Sequence, residues 1–393
     1  MGWREYLLPL YAVATLLPRL LPGRAQLTEL IFLVALVAFA RELPQQLRRF
    51  PRLAMALGAY VLVNLLSGAR AWAAGGPAAS LLEAGARGYL AVLVFIGTAH
   101  VARYGVGRLL RWWFRAAVAV AAVAVAAYAS EALGGPDPGD LANPIAVYPY
   151  FGTVSRLQGT ATTFGMFYML LLPGMFLAWE RRRWWALGVL LLAGLLTLGK
   201  ENLLFPLGLL LLRPGVGPKV AAGALALVLL FVTHFLVLPA GSGVGESFYV
   251  SGRVVGRLGQ YEIHETTYWL NKRTALTVAG RHPGLGVGPG RYAAYTEQLV
   301  SEGRYPAHVG RLDPHSAWTG ALAETGYPGL ATLLLLSLTL LPRAAAPPSA
   351  WRYAGICLLL YLLVSVFKDV MNFRPLWLLL GLWVAGNDGK ARV

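Results

Sequence analysis

Cysteine and charge are both scarce in this sequence of 393 residues. The one cysteine, Cys357, lies inside an apolar run, so neither a disulfide framework nor a cysteine metal site can form. Charged residues make up 13% of the chain, against about 25% in an average soluble domain, whereas hydrophobic residues make up 57%. Apolar runs of membrane-spanning length recur throughout, so we predict an all-α polytopic membrane protein.

Hydropathy predicts about twelve transmembrane helices, with a long hydrophilic loop between the ninth and the tenth. The first apolar stretch has no convincing small-residue cleavage site, so it is predicted to be a span rather than a signal peptide. The eighth span is short for a full crossing. The predicted spans are 4–22, 25–40, 51–68, 80–101, 109–133, 163–179, 184–199, 201–212, 219–239, 316–341, 352–367 and 374–386. They divide the chain into spans one to nine (1–239), a loop (240–315) and spans ten to twelve (316–393).

Acidic residues are few, and the basic excess is unevenly distributed over the predicted loops. The net charge is +16. With both termini in the cytoplasm, the inner side receives 18 of the 34 basic residues but only four of the 18 acidic ones. This asymmetry follows the positive-inside rule, so the 240–315 loop is predicted to lie outside. The charge is therefore a topology signal, and it requires no nucleic-acid partner.

His315 stands out because of its position. The 240–315 loop holds four of the six histidines, and His315 comes where the loop enters the tenth span. A histidine at such a junction suits general-base catalysis, and Asp313 is close enough in sequence to orient it. The alternative is a loop histidine that caps or packs the start of the helix.

A glycine-rich segment precedes this histidine and a second glycine pair follows it. The density of glycine permits positive φ angles and close backbone approach. No strand–helix unit surrounds the segment, which excludes a dinucleotide site or a phosphate-binding P-loop. A rigid turn and a direct ligand contact remain as alternatives. The motif residues are His282, Gly286, Gly288, Gly290, Gly326 and Gly329.

Basic residues at the predicted outer boundary are candidates for binding an anion. Arginine pairs with diphosphate oxygens in a bidentate manner, and lysine acts as a point charge. Each residue alone also suits a paired or snorkelling surface charge, but as a set they suit an anionic headgroup. The candidates are Arg156, Lys200, Arg253, Arg257, Arg273 and Arg281.

The outer side has no acidic pair of the kind that holds a metal–nucleotide complex. Asp137 and Asp140 lie in a proline- and glycine-rich stretch that predicts a turn. Glu262, His264 and Glu265 could ligate a metal, but their pattern is loose. We therefore predict that the protein uses neither a metal nor another cofactor.

The sequence His-Ser-x9-Gly-x-x-Gly from His315, preceded by His-Pro-Gly-Leu-Gly-Val-Gly-Pro-Gly from His282, resembles the O-antigen ligase and O-antigen polymerase superfamily (WaaL and Wzy types). The likeness extends to the number of spans, the cytoplasmic termini, the long outer loop and the residues around Arg156. Two positions depart from the family pattern. A Ser-Arg pair at the end of the seventh span is replaced by Gly199-Lys200. No arginine closely precedes Trp269, which leaves Arg253, Arg257 and Arg273 as alternatives.

The resemblance implies a GT-C-like fold and metal-independent, inverting glycosyl transfer from an undecaprenyl-diphosphate-linked glycan at the periplasmic face of a bacterial inner membrane. It implies His315 as the base and the clustered cations as ligands of the diphosphate. A ligase would use lipid A-core as the acceptor in lipopolysaccharide biosynthesis, whereas a polymerase would join repeat units; the histidine motif favours the ligase. A transporter or flippase of lipid-linked sugars is the alternative from another class. The concentration of charges at the outer boundary disfavours it.

Overall fold

The computed structural model describes residues 2–17, 27–133, 142–148, 152–157, 164–241, 250–309, 313–340 and 349–386. Fifteen α-helices and five strands form this part of the chain. The helices are α1 (Leu7–Ala14), α2 (Leu27–Phe39), α3 (Leu43–Arg49), α4 (Pro51–Ala73), α5 (Ala79–Tyr104), α6 (Gly107–Ala132), α7 (Phe164–Glu180), α8 (Trp184–Leu196), α9 (Leu204–Leu212), α10 (Val216–His234), α11 (Thr267–Arg281), α12 (Tyr292–Ser301), α13 (Ala317–Leu340), α14 (Ser349–Val364) and α15 (Arg374–Gly386). The strands are β1 (Ala142–Tyr148), β2 (Gly152–Leu157), β3 (Phe235–Pro239), β4 (Val250–Leu258) and β5 (Tyr261–Thr266).

The helices are those of a membrane protein. In the described part of the chain, five of them are long and apolar enough to cross a bilayer, namely α4, α5, α6, α10 and α13. Five more apolar helices are shorter, namely α2, α7, α8, α14 and α15. Large apolar side chains such as Leu62, Val123 and Leu227 are exposed on the outer faces of the bundle, where lipid would solvate them. Each segment that hydropathy predicts to span overlaps a helix, but α1 and α9, with eight and nine residues, are not among these ten.

The end of one predicted span differs from the structure. The predicted ninth span, 219–239, ends as a helix at His234, and its last five residues form strand β3 instead. The fold is predominantly helical, as predicted, and two small antiparallel sheets accompany the helices: β1 pairs with β2, and β3, β5 and β4 form the other sheet in that order. A hydropathy window cannot separate a short apolar strand from the end of a helix, which explains why the strand is missed. The first helix, α1, ends at Ala14, and residues 18–22 of the predicted span one lie outside the described residues.

Helix α13 is broken at Gly326, which has φ 71° and ψ −167°. The glycine-rich segment docks at this break. The backbone N–H of Tyr327 donates to the carbonyl of Pro283 at 3.0 Å, and the backbone N–H of Val287 donates to the carbonyl of Ala323 at the same distance. A side chain at Gly326 would meet the carbonyl oxygen of Pro283. Only glycine accommodates both the backbone angles and this close approach.

The 240–315 loop has a small hydrophobic core, which it shares with α13. Leu270 and Val278 of α11 pack with Tyr292 and Leu299 of α12 and with Ala323 of α13. Helix α11 follows strand β5 without an intervening residue, so the sheet, α11 and the start of α13 hold one another in place. This packing positions the residues around His315.

Charged residues that are predicted to be cytoplasmic meet at one end of the bundle. Arg4 and Arg103 both pair with Glu42, at 3.9 Å and 2.8 Å. Arg108 pairs with Glu5 at 2.7 Å. The pairs join the N-terminal turn, the segment after α2 and the junction of α5 with α6. These three segments therefore lie on the same side of the bundle.

Candidate functional site

His315 lies at the junction between the outer loop and α13, as the sequence predicts. Its φ is 47°, a left-handed value that is rare for residues other than glycine and is often found at functional sites. The Asp313 carboxylate accepts the backbone N–H of His315 at 2.7 Å and also contacts its ring Nδ1. Because Nδ1 then carries the hydrogen, Nε2 is the ring nitrogen with the free lone pair. Asp313 thereby orients the imidazole.

Tyr268 of α11 connects His315 to Lys200. The ring centroids of Tyr268 and His315 are 4.8 Å apart, and Lys200 Nζ lies 3.4 Å from the centre of the Tyr268 ring. Burial raises the pKa of Tyr268, but the ammonium groups of Lys200 and Lys368 outweigh this effect and lower the pKa below its ordinary value. The local field therefore favours a negative charge at this place.

Lys368 belongs to the same cluster, although it is 168 positions from Lys200 in sequence. Its Nζ lies 3.1 Å from Oε1 of the buried Glu201. A Cβ on Gly165 of α7 would lie 2.6 Å from Lys368 Nζ, so a glycine is needed for this close approach. The backbone N–H of Ala317 donates to the carbonyls of Ser365 and Lys368, at 2.9 and 3.2 Å. These bonds tie the start of α13 to the segment that carries Lys368.

Lys272 is the third lysine of the cluster and lies one helical turn after Tyr268. It is buried and contacts Nε2 of His234 at the end of α10. Burial, together with the charge of Lys200, lowers the pKa of Lys272 to about 7. Sequence analysis missed both Lys272 and Lys368. The available signals were the i, i+4 spacing of Lys272 from Tyr268 and the place of Lys368 at the outer end of the eleventh span.

Two of the predicted loop arginines lie on the β4–β5 hairpin. Arg257 is largely exposed and pairs with Glu262 of the neighbouring strand at 2.8 Å. Arg253 is exposed on β4, where its backbone N–H donates to the hydroxyl of Ser251. Among the described residues, neither side chain contacts the group around His315. The charges of this hairpin therefore suit a solvated surface.

The other two loop arginines are held by carboxylates. Arg273 makes a bidentate contact with the buried Glu265, with both distances 3.2 Å. Arg281 donates to the Tyr295 hydroxyl at 3.2 Å and pairs with Glu302 at 3.5 Å. Both arginines are held by these partners, whereas Lys200 contacts the Tyr268 ring that packs against His315, so Lys200 is the stronger candidate for the diphosphate.

Arg156 lies on strand β2, where it pairs with Asn143 of β1 along the backbone. Strand β2 contacts α6 and α8, and α8 leads to Lys200. The side chain of Arg156 is outside the described residues. Asp137 and Asp140 are outside them as well.

The glycine-rich segment is a docked turn. Gly286, Gly288 and Gly290 have φ angles of 62°, 106° and 71°. A side chain at Gly286 would meet the backbone of Glu324, and one at Gly288 would lie 2.5 Å from the Cβ of Ala71. These two glycines therefore serve the packing of the segment against α13 and α4, which favours the rigid-turn interpretation over direct ligand contact.

Gly329 and His282, two further motif residues, also pack against neighbouring side chains. Gly329 packs against the side chain of Thr325, one turn earlier in α13. His282 lies edge-on to the Tyr295 ring, with centroids 5.4 Å apart. Neither residue contacts the cluster around His315 among the side chains that the structure describes.

The possible metal ligands on β5 do not converge. Side chains of a strand alternate between its two faces, which separates Glu265 from Glu262 and His264. Glu262 pairs with Arg257, and Glu265 with Arg273. Within the described ranges, no group of three or more histidine, cysteine or acidic side chains could hold a metal ion.

No protein-family model matches this chain, and the search of curated proteins gives no match either.

Proposed function

We propose that this protein is a metal-independent, inverting glycosyltransferase that uses a glycan linked to undecaprenyl diphosphate as its donor. The observation that carries the proposal is the contact of His315, oriented by Asp313, with Tyr268 and through it with Lys200. An oriented imidazole is suited to take a proton, and a lysine cluster is suited to stabilise a diphosphate. A proton acceptor and a positive charge that can stabilise the diphosphate thus both contact the ring of Tyr268.

In the proposed reaction, the acceptor hydroxyl oxygen attacks the anomeric carbon while Nε2 of His315 takes its proton. The bond between that carbon and the diphosphate oxygen breaks, and the diphosphate leaves with the electron pair. Lys200 and Lys368 stabilise the charge that develops on it. Asp313 stabilises the imidazolium that forms. A single displacement of this kind inverts the anomeric configuration.

The membrane arrangement that fits this reaction has about twelve spans in a GT-C-like fold, with both termini in the cytoplasm of a bacterial cell. The ion pairs of Glu5 and Glu42 support a common inner side for the first loops. The lysine cluster then faces the periplasm, where lipid-linked glycans are used. The polyprenyl tail of the donor would lie in lipid beside the helices.

The acceptor that we propose is lipid A-core, as in an O-antigen ligase, because the His315 motif resembles that of the ligases. A polymerase would use the same site to join repeat units. A transporter or flippase would need no proton acceptor, and the orientation of His315 by Asp313 would then have no purpose.

The decisive experiment is a transfer assay with the purified protein and an undecaprenyl-diphosphate-linked oligosaccharide, with and without lipid A-core. Transfer to lipid A-core in the presence of EDTA supports the ligase. Elongation of the donor glycan without lipid A-core identifies a polymerase instead. A requirement for magnesium or manganese would mean that a metal ion, and not the lysines, stabilises the leaving diphosphate. The absence of any transfer would refute the assignment as a glycosyltransferase.

A further inference from the structure

A polar cavity lies at the far end of α11 from His315. It has a volume of about 290 Å³ and is lined by Arg70, His282, Arg291, Tyr295 and Gln298. Its walls come from the end of α4, the glycine-rich segment and α12. Tyr268 and Arg281 are thirteen positions apart on α11, which amounts to about 20 Å at the rise of an α-helix. The cavity is therefore separate from the proposed transfer site.

The cavity is positively charged. Arg70 donates to the carbonyl of Gly286 at 3.0 Å, and the guanidinium of Arg291 packs over Gly76. Across the described residues, no carboxylate pairs with either arginine. Two guanidinium groups thus line the same cavity, and neither has a carboxylate partner in the part of the chain that the structure describes. Burial lowers the pKa of His282, and the charges of Arg70 and Arg281 lower it further, which is the effect expected of a positive field.

The remaining lining groups suit a sugar. Tyr295 offers a planar ring and a hydroxyl, and Gln298 offers an amide with both a donor and an acceptor. The volume is close to the lower limit of about 300 Å³ for small-molecule sites, which matches a ligand of the size of one sugar residue. Arginine binds phosphate and carboxylate groups in a bidentate manner. The combination therefore fits a sugar that carries one of these groups.

We propose that this cavity binds a phosphate- or carboxylate-bearing sugar of the acceptor glycan. The inference rests on the proposed function, since it gives the acceptor a second point of attachment away from His315. A glycan of several sugars can reach both places. Arg291 is the residue that decides binding, because its guanidinium makes no hydrogen bond to other described residues and is thus available to the ligand.

Equilibrium dialysis of the whole protein, in nanodiscs of neutral phosphatidylcholine, tests the proposal with glucose 6-phosphate and glucuronate as probes. We expect both probes to bind and unmodified glucose to bind much more weakly. Arg291→Gln should weaken binding about tenfold or more, because a charge-assisted contact is lost. Arg304→Gln is the matched control, since Arg304 is an exposed arginine of the same loop that pairs with Glu302. It should leave binding unchanged.

Equal binding of glucose and glucose 6-phosphate would overturn the proposal, and so would equal losses in Arg291→Gln and Arg304→Gln. A parallel titration in nanodiscs with phosphatidylglycerol distinguishes a lipid headgroup from a sugar. If the anionic lipid abolishes probe binding in the wild type, the cavity is a lipid site and the sugar assignment is wrong. No donor is present in these measurements. Failure here therefore leaves glycosyl transfer intact, and failure of the transfer assay leaves probe binding intact.

Discussion

The ammonium group of Lys200 lies 3.4 Å from the centre of the Tyr268 ring, and His315 packs against the same ring at 4.8 Å. The cation–π contact joins the turn before α9 to the outer helix α11 and is worth roughly 1–2 kcal/mol where it is shielded from water. One side chain thus fixes the distance between a positive charge and an oriented imidazole.

His315→Gln should lower the rate of glycosyl transfer by about 10²–10⁴-fold, because glutamine can donate a hydrogen bond but cannot take up the proton. Donor binding should persist. The activity of the wild type should rise with pH through the range in which histidine titrates, and His315→Ala should lose this rise. The measurement is the initial rate of transfer between pH 5 and 9. Near-normal turnover of His315→Gln would make His315 a binding residue.

Lys200→Gln should lower the transfer rate by roughly 10²-fold, because the leaving diphosphate loses a charge that acts in the transition state. Lys368→Gln should act in the same direction. Lys219→Gln is the control, since Lys219 is an exposed lysine near the start of α10. The rates are measured at saturating donor and acceptor. A wild-type rate for Lys200→Gln would exclude Lys200 from the site.

Lys272→Met should stabilise the protein, and more so at low pH. Its pKa is about 7 in the folded protein against an ordinary value of 10.5. Below pH 7 both states carry the charge, so the folded state bears the full cost of burying it. Between pH 7 and 10.5 the unfolded state holds more protons, so the stability of the wild type rises with pH. Lys272→Met should therefore raise the Tm more at pH 6 than at pH 9.

The control for Lys272→Met is Lys219→Met, which removes an exposed lysine whose ammonium donates to the carbonyls of Leu211 and Arg213 at the end of α9. The change in Tm that this loss causes should be the same at pH 6 and pH 9. Thermal unfolding of the detergent-solubilised protein provides the measurement. A gain in Tm that is the same at pH 6 and pH 9 would contradict a lowered pKa of Lys272.

Gly286→Ala should destabilise the protein by roughly 2–4 kcal/mol, because its φ of 62° is strained for alanine and the new Cβ meets the backbone of Glu324. Gly284→Ala is a matched control in the same segment. A Cβ at Gly284 meets nothing within 4 Å. Its effect should stay within about 0.5 kcal/mol. Equal unfolding temperatures of the two variants would show that the docked turn contributes nothing to stability.

The orientation of the chain can be tested by labelling with a membrane-impermeant maleimide in intact cells. Ser301→Cys, at the exposed end of α12, should react from outside, and Lys219→Cys should react only after permeabilisation. The native Cys357 is fully buried and should contribute little background. Reaction of the two variants in the opposite order would invert the proposed topology.

Helix positions could be predicted from the sequence because lipid leaves a spanning segment few alternatives to a helix. The segment predicted at 80–101 is a helix at Ala79–Tyr104, and the one at 374–386 is a helix at Arg374–Gly386. Strand β3 was missed because Phe235–Pro239 is as apolar as the helix before it. Hydropathy reports the solvent that a segment prefers, not the backbone conformation of a short run.

The site was only partly predictable for a different reason. His315 and Lys200 could be selected by residue type and place. Lys272 joins them only through the packing of α11 against α13, and Lys368 only through the hydrogen bonds between its segment and the start of α13. Arg257, like Lys200, is a basic residue at the predicted outer boundary, yet it pairs with Glu262 on the next strand. A sequence shows which residues are charged, whereas the fold decides which charges are neutralised.

The docking of the glycine-rich segment has a consequence for the timing of folding during synthesis. Ser67 of α4 donates to the carbonyls of Leu285 and Glu324, which are 218 and 257 positions further along the chain. The ribosome makes the outer loop before it makes the half of α13 on which that loop rests. The loop therefore cannot reach its final position until Glu324 and Tyr327 have entered the membrane, and the proposed transfer site is completed late in synthesis.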